Sequence, residues 1–326
     1  MTPRRAPLLS IPLLLALVWC GQATALPTRT VGSGTPASCT SPAVERAVSR
    51  GGLVRFNCGA RPVVIKMRRT AKVRNTNPRL ILDGGGKVTL SGMGRRRILY
   101  QNTCDPAQTW TTSHCQDQAT PTMVIRNMRF VRGNSTGQRE EGGGGGAVFV
   151  RGGQLTVINS TFLANRCDST GPDLGGAAIR VLSQYRNRPV RVVKSTFAGG
   201  RCANGGALSS IGVSWVIQDS TFRGNRAIGR GANPARAGTP GGGNGGAVYM
   251  DGNLMTLRVI RSTFTGNVAN EGGGAVFFVS NNRTGTASLM NSALRSNPSR
   301  GFETRGLPGI FFLGLRPPTL IGSTLR

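Results

Sequence analysis

One six-residue phrase, written four times, constrains this chain more than any other feature. "STFLAN" starts at Ser160, "STFAGG" at Ser195, "STFRGN" at Ser220 and "STFTGN" at Ser262. A phrase recurring every few dozen residues marks a stack of small units, because no single unit can bury its own apolar face. Aligned on the aromatic, the series runs Phe130, Phe162, Phe197, Phe222 and Phe264, with weaker copies at Leu294 and Leu325. Five positions upstream stand Ile125, Val157, Val192, Ile217, Val259, Leu289 and Leu320, all aliphatic. From Phe162 to Leu294, three positions downstream stand Asn165, Asn225, Asn267 and Asn297, with Gly200 as the exception.

A second phrase alternates with the first: "GGAVFV" at Gly145, "GGAAIRV" at Gly175, "GGALSS" at Gly205, "GGAVYM" at Gly245 and "GGAVFF" at Gly273. Each round therefore holds short β-rich segments separated by Gly- or Asn-containing corners. With no helical period between them, these segments do not fit a doubly wound α/β sheet. They fit a solenoid whose coils stack at the strand spacing of about 4.8 Å. Phenylalanines then stack inside, each worth about 1.5–3 kcal/mol on burial, and asparagines bond along a corner. "VVIKM", "RLILDGGGKVTLSG" and "RILYQN" are earlier, degenerate coils. The segment "SPAVERAVSRGG" predicts a short helix, with Ser41 as N-cap, Pro42 in its first turn and Gly51 after its end. Its apolar residues Ala43, Val44, Ala47 and Val48 would cover the open end of the first coil. Two insertions, 104–118 and 228–244, leave the stack between repeat phrases. The final "LIGSTLR" stops within a repeat phrase, so this end should either be covered by "GIFFLGL" or pair with another chain.

The N-terminus predicts an exported protein. Arg4 and Arg5 precede "PLLSIPLLLALVW", and "ATA" at Ala23–Ala25 offers a small-residue cleavage site, so residues 1–25 read as a signal peptide. Lipidation at Cys20 is the alternative, against which stands the bulky Trp19. The other six cysteines, Cys39, Cys58, Cys104, Cys115, Cys167 and Cys202, are an even set in an exported chain, which implies disulfides. Chain order suggests Cys39–Cys58, Cys104–Cys115 and Cys167–Cys202. Residues 26–326 then form one domain, with a cap over 26–60 and the clearest repeats over 120–326. No second apolar stretch is long enough to anchor it in a membrane.

Together, "ILDGGGKVTLSG", "GGAV" followed by Phe or Tyr, and the "STF..N" corner resemble the bacterial right-handed parallel β-helix repeat proteins of the pectate-lyase-like superfamily. The likeness covers about residues 51–326. It implies an all-β, right-handed parallel β-helix with an N-terminal capping helix. It is poor for function, because such proteins include adhesin-like passengers and polymorphic outer-membrane proteins as well as polysaccharide lyases and hydrolases.

Chemistry is sparse. There are twelve acidic residues against 41 Lys and Arg, for a net charge of +29, and the lysines are only Lys66, Lys72, Lys87 and Lys194. A lyase of the kind the resemblance implies would hold Ca²⁺ in a carboxylate cluster. The candidates are Glu140, Glu141, Asp173 and Glu271, but Asp173 and Glu271 fall about three coils, or about 15 Å, apart in one column. The Asp-Asp and Gly-His-Gly signatures of related hydrolases are absent, and His114 lies in a disulfide loop. Asp83 reads as a turn residue and Gly142–Gly146 as a flexible corner. No catalytic residue, metal ligand or cofactor is assigned, with Ca²⁺ tied only to the lyase alternative. Thr161, Thr196, Thr221 and Thr263 form an outward column best explained as strand filling. The preferred function is non-catalytic: a secreted or cell-surface protein binding an anionic polysaccharide or envelope surface. Its binding residues would be Arg126, Arg129, Arg132, Arg180, Arg186, Arg188 and Arg191, lining one groove. Nucleic acid is disfavoured because aromatics do not interleave with the arginines.

Overall fold

A computed structural model describes residues 25–139 and 142–326. Residues 1–24 of the predicted signal peptide, including Cys20, and Glu140 and Glu141 lie outside the described residues. The chain coils into a parallel β-helix with three strand faces. The first face is a seventeen-stranded parallel sheet. It carries two rows of rungs, one through 122–126, 154–158, 190–193, 215–218 and 256–260, the other through the phenylalanine strands. The second face stacks the "GGA" strands, from Ala71–Val73 through Leu99–Asn102 and Val148–Arg151 to Ile310–Leu313. A short third face joins Arg201–Cys202, Arg226–Ala227 and Val268–Ala269.

Register follows the repeat. Phe130, Phe162, Phe197, Phe222 and Phe264 are direct partners, continued by Leu294 and Leu325. All five rings are buried and nearly coplanar, with centroids 4.5–5.0 Å apart. One strand spacing per coil leaves them no other arrangement. The serine opening each phrase has its own task. The backbone N–H of Ser160, Ser195, Ser220, Ser262 and Ser292 donates to the hydroxyl of the serine one coil on, at 3.0–3.2 Å. Asparagines ladder along the next corner: Asn225 Nδ2 donates to Asn267 Oδ1, and Asn267 Nδ2 to Asn297 Oδ1, both at 2.8 Å.

The break at Gly200 has a steric cause. The "GGAAIRV" phrase registers from Gly176, since Ile179 pairs with Val148, so Ala177 occupies the place of Gly146. A Cβ on Gly200 would lie 3.2 Å from that of Ala177 and 1.9 Å from the Gly206 carbonyl oxygen. The Gly206 carbonyl leaves no room for a side chain at 200, and Gly133, the same position after Phe130, would meet the Gly146 carbonyl oxygen in the same way at 2.2 Å. The run Gly142–Gly146 is likewise tightly packed rather than a loose corner: a Cβ on Gly144 would come within 2.0 Å of the Gly175 carbonyl oxygen.

The cap forms as expected over Ser41–Arg50, with Val44, Ala47 and Val48 buried, but its N-cap is Thr40. Ser41 instead accepts the Arg68 N–H and donates to Glu45, tying helix to coil. A strand missed in the sequence, Thr28–Val31, adds a rung outside Gly52–Phe56. All three disulfides join the expected partners. At the far end, "GIFFLGL" does not fold over the last coil. Its Ile310–Leu313 becomes the next rung beside Val276–Val279, leaving Leu315, Leu320 and Ile321 exposed. Among the described residues no helix is long and apolar enough to cross a membrane.

Candidate functional site

Alternation along the "GGA" strands sends Val148 and Val150 inward and Phe149 outward, and the same holds in every coil. Direct pairing therefore builds an outward column of Lys72, Tyr100, Phe149, Arg180, Ser209, Tyr249, Phe277 and Phe311. Connecting loops bury much of it. Arg180 lies wholly inside this layer, 3% exposed, with Nη1 donating to Ser209 Oγ at 3.2 Å. Burial pushes its pKa down to about 10. Arg180 is thus removed from the expected binding set, because its strand faces a loop-covered layer that sequence spacing did not reveal.

The open end of this column forms a cleft of about 480 Å³, lined by Phe277, Phe302 and Phe311 with Asp173, Asp251 and Asn233. Asn233 comes from the 228–244 insertion. Its amide nitrogen donates to Asp173 Oδ1 at 2.9 Å and to Asp251 Oδ2 at 2.8 Å, and also meets Tyr249 Oη. Burial raises the Asp251 carboxyl above its ordinary range, against the opposing hydrogen bonds from Asn281 and Tyr249. Burial, then the Asp251 charge, raises the Tyr249 phenol well above its usual value. Sequence spacing missed this pair: Asp173 and Asp251 share the Asn233 amide, while Glu271 stands apart from Asp173, as expected. Glu271 is clamped by Arg236 through both oxygens at 2.8 and 2.9 Å, and it also accepts the Gly231 N–H. The fit for Ca²⁺ is poor. An N–H donor stands between the two aspartates where a cation would sit, and no three acidic, His or Cys residues gather among the described residues.

The remaining predicted arginines do not share one groove. Arg126 Nε is 2.8 Å from Asp83, which also accepts from Asn127 and the Gly85 N–H. Burial tends to raise the Asp83 pKa, but those donors together with Arg126 hold it below the usual value. Arg129 and Arg191 are exposed on the outer face of the large sheet, in different rows and two coils apart. Arg132 is exposed at the corner after Phe130, at φ 50°. Arg186 and Arg188 sit on a connection, both within 5.6 Å of the Tyr185 ring centre. Arg258 joins Arg191 in its column, through Val216, and was not singled out in the sequence. The threonine column is outward as expected, with Arg129 and Ala293 at its ends.

Residues 261–279 match the Chlamydia polymorphic membrane protein repeat. No curated protein and no solved structure matches the chain. The matched segment holds one "STFTGN" corner and the following "GGAVFFV" strand, that is, one side of a coil with its serine, phenylalanine and asparagine ladders. Taken with the parallel stacks, it makes this chain a β-helix repeat protein.

Proposed function

We propose that this is an exported, surface-associated, adhesin-like β-helix protein that binds an anionic polysaccharide or envelope surface without transforming it. The observation that carries this reading is how few carboxylates neutralise the arginines. Glu45, Asp83, Asp168, Asp219 and Glu271 are each held by one arginine, Arg69, Arg126, Arg139, Arg261 and Arg236 respectively. Arg129, Arg191, Arg223 and Arg258 remain exposed on sheet faces, with no carboxylate partner among the described residues. Guanidinium groups left open on a flat, rigid surface suit carboxylate or sulfate groups, which they grip by paired N–H donors. Three disulfides fit an oxidising, extracellular setting, and the match to a membrane-protein repeat points the same way.

A second reading, a polysaccharide hydrolase or lyase within the pectate-lyase-like superfamily, is favoured by the Asp173–Asp251 pair in its aromatic cleft. Polygalacturonate incubated with the protein tests both. Salt-sensitive retention of the polymer at unchanged chain length is the expected result. Shortening of the polymer that disappears in Asp251→Asn would establish the enzyme instead.

A further inference from the structure

The third face places three arginines in one line. Asn165, Gly200 and Asn225 each precede an arginine, Arg166, Arg201 or Arg226. Arg166 pairs with Arg201 and Arg201 with Arg226, on successive coils. All three are exposed. The residues that follow them, Cys167, Cys202 and Ala227, point inward and are buried. Cys167 and Cys202 are bridged, with Cα atoms 4.8 Å apart, so a covalent pin sets the spacing of the first two rungs.

We propose that Arg166, Arg201 and Arg226 form an anion ladder that holds an acidic polysaccharide chain lying along the solenoid axis. This rests on the binding reading above and names its site. Like charges directly opposite one another on neighbouring strands repel, so a column of three costs stability unless anions fill it. Asp168, two residues after Arg166, does not relieve it: it is buried, and its Oδ1 accepts from Arg139 and the Gly137 N–H. The ladder stops at Asn134 on one side and Val268 on the other, so it spans two coil rises, about 10 Å. A ladder of that length with one cation per rung suits a linear polymer carrying regular carboxylate or sulfate groups, and is too long for a single small anion. Arg223, one corner away from Arg226 on the same coil and also exposed, extends the positive surface sideways. No aromatic side chain lies in this column; the phenylalanines of these coils are buried inside. A nucleic acid would lack the stacking platforms that hold unpaired bases.

The test uses the full disulfide-bonded chain and two triple variants that remove equal charge: Arg166→Gln with Arg201→Gln and Arg226→Gln, and, at exposed arginines placed in no binding surface, Arg55→Gln with Arg61→Gln and Arg79→Gln. Affinity for polygalacturonate and for a single-stranded oligonucleotide is measured over a salt series, with circular dichroism confirming the fold. Loss of about tenfold or more in polygalacturonate affinity for the ladder variant, against about threefold or less for the other, is expected, with a shallower salt dependence. Equal losses in both variants overturn the ladder while leaving polyanion binding intact. Tighter oligonucleotide binding that is lost with the ladder makes the face a nucleic-acid surface and overturns the polysaccharide assignment. Failure of the unaltered protein to bind either polymer removes the binding reading itself.

Discussion

At the scale of the residue, the corner asparagines show how one side chain serves two coils. Asn267 Oδ1 accepts from the Asn225 backbone N–H and from Asn225 Nδ2, while its own Nδ2 donates to the Phe222 carbonyl and to Asn297. Alanine there strands a buried N–H, a carbonyl and half of each neighbouring amide. With about 1–3 kcal/mol for the orphaned N–H and the same for the carbonyl, Asn267→Ala should lose about 2–6 kcal/mol in urea unfolding. A loss below about 1 kcal/mol would mean that the ladder is relaxed by water. Asn267 was assigned to a corner ladder on sequence spacing alone, because its period matches that of the phenylalanines. The serine ladder was hidden by ambiguity: a serine before a strand has many uses, and only three-dimensional register shows its hydroxyl facing the N–H one coil away.

At the scale of the element, the 228–244 insertion depends on a single buried acid. Glu271 holds the Gly231 N–H and the two terminal guanidinium nitrogens of Arg236, anchoring the loop that delivers Asn233 to the cleft. The hydrogen bonds from Arg236 are the main reason that its carboxyl titrates below the ordinary glutamate range. A carboxyl with a lowered folded pKa binds fewer protons folded than unfolded. Its contribution is therefore present above the unfolded value, about 4.3, and is lost as pH falls through the folded value. Glu271→Gln should thus lower stability at pH 7, and its difference from the parent protein should shrink as pH falls from about 4.3 through the folded value. Limited trypsin digestion at pH 7 should cut at Arg230 or Arg236 faster in the variant. An unchanged cleavage pattern would show that the loop is held by other contacts.

At the scale of the whole molecule, each coil touches only its neighbours, so stability is a sum of stacking steps and the ends are its weak points. The helix Ser41–Arg50 and its disulfide-linked loop close one end. The other presents a rung at Thr319–Ile321 that pairs on one side only, with Leu320 and Ile321 exposed. Hydrogen exchange should therefore be fastest over 319–325 and slowest over 192–222, where coils lie on both sides and Cys167–Cys202 pins adjacent rungs. Uniform protection along the chain would contradict this picture.

The repeat determined the coil, its phenylalanine core and its corner asparagines, while local helix signals and the order of the cysteines pointed to the cap and the disulfide pairing. All of these are periodic or local, and a period read along the chain becomes a column once coils stack. The Asp173–Asn233–Asp251 contact, the burial of Arg180 and the Arg166–Arg201–Arg226 line belong to the tertiary structure. Insertions of unequal length carry residues from distant coils to one place, and loops folded over an outer face bury what alternation would expose. Neither effect has a period, so only the folded chain reveals which charges meet, which are sealed in, and which stand in line at the surface.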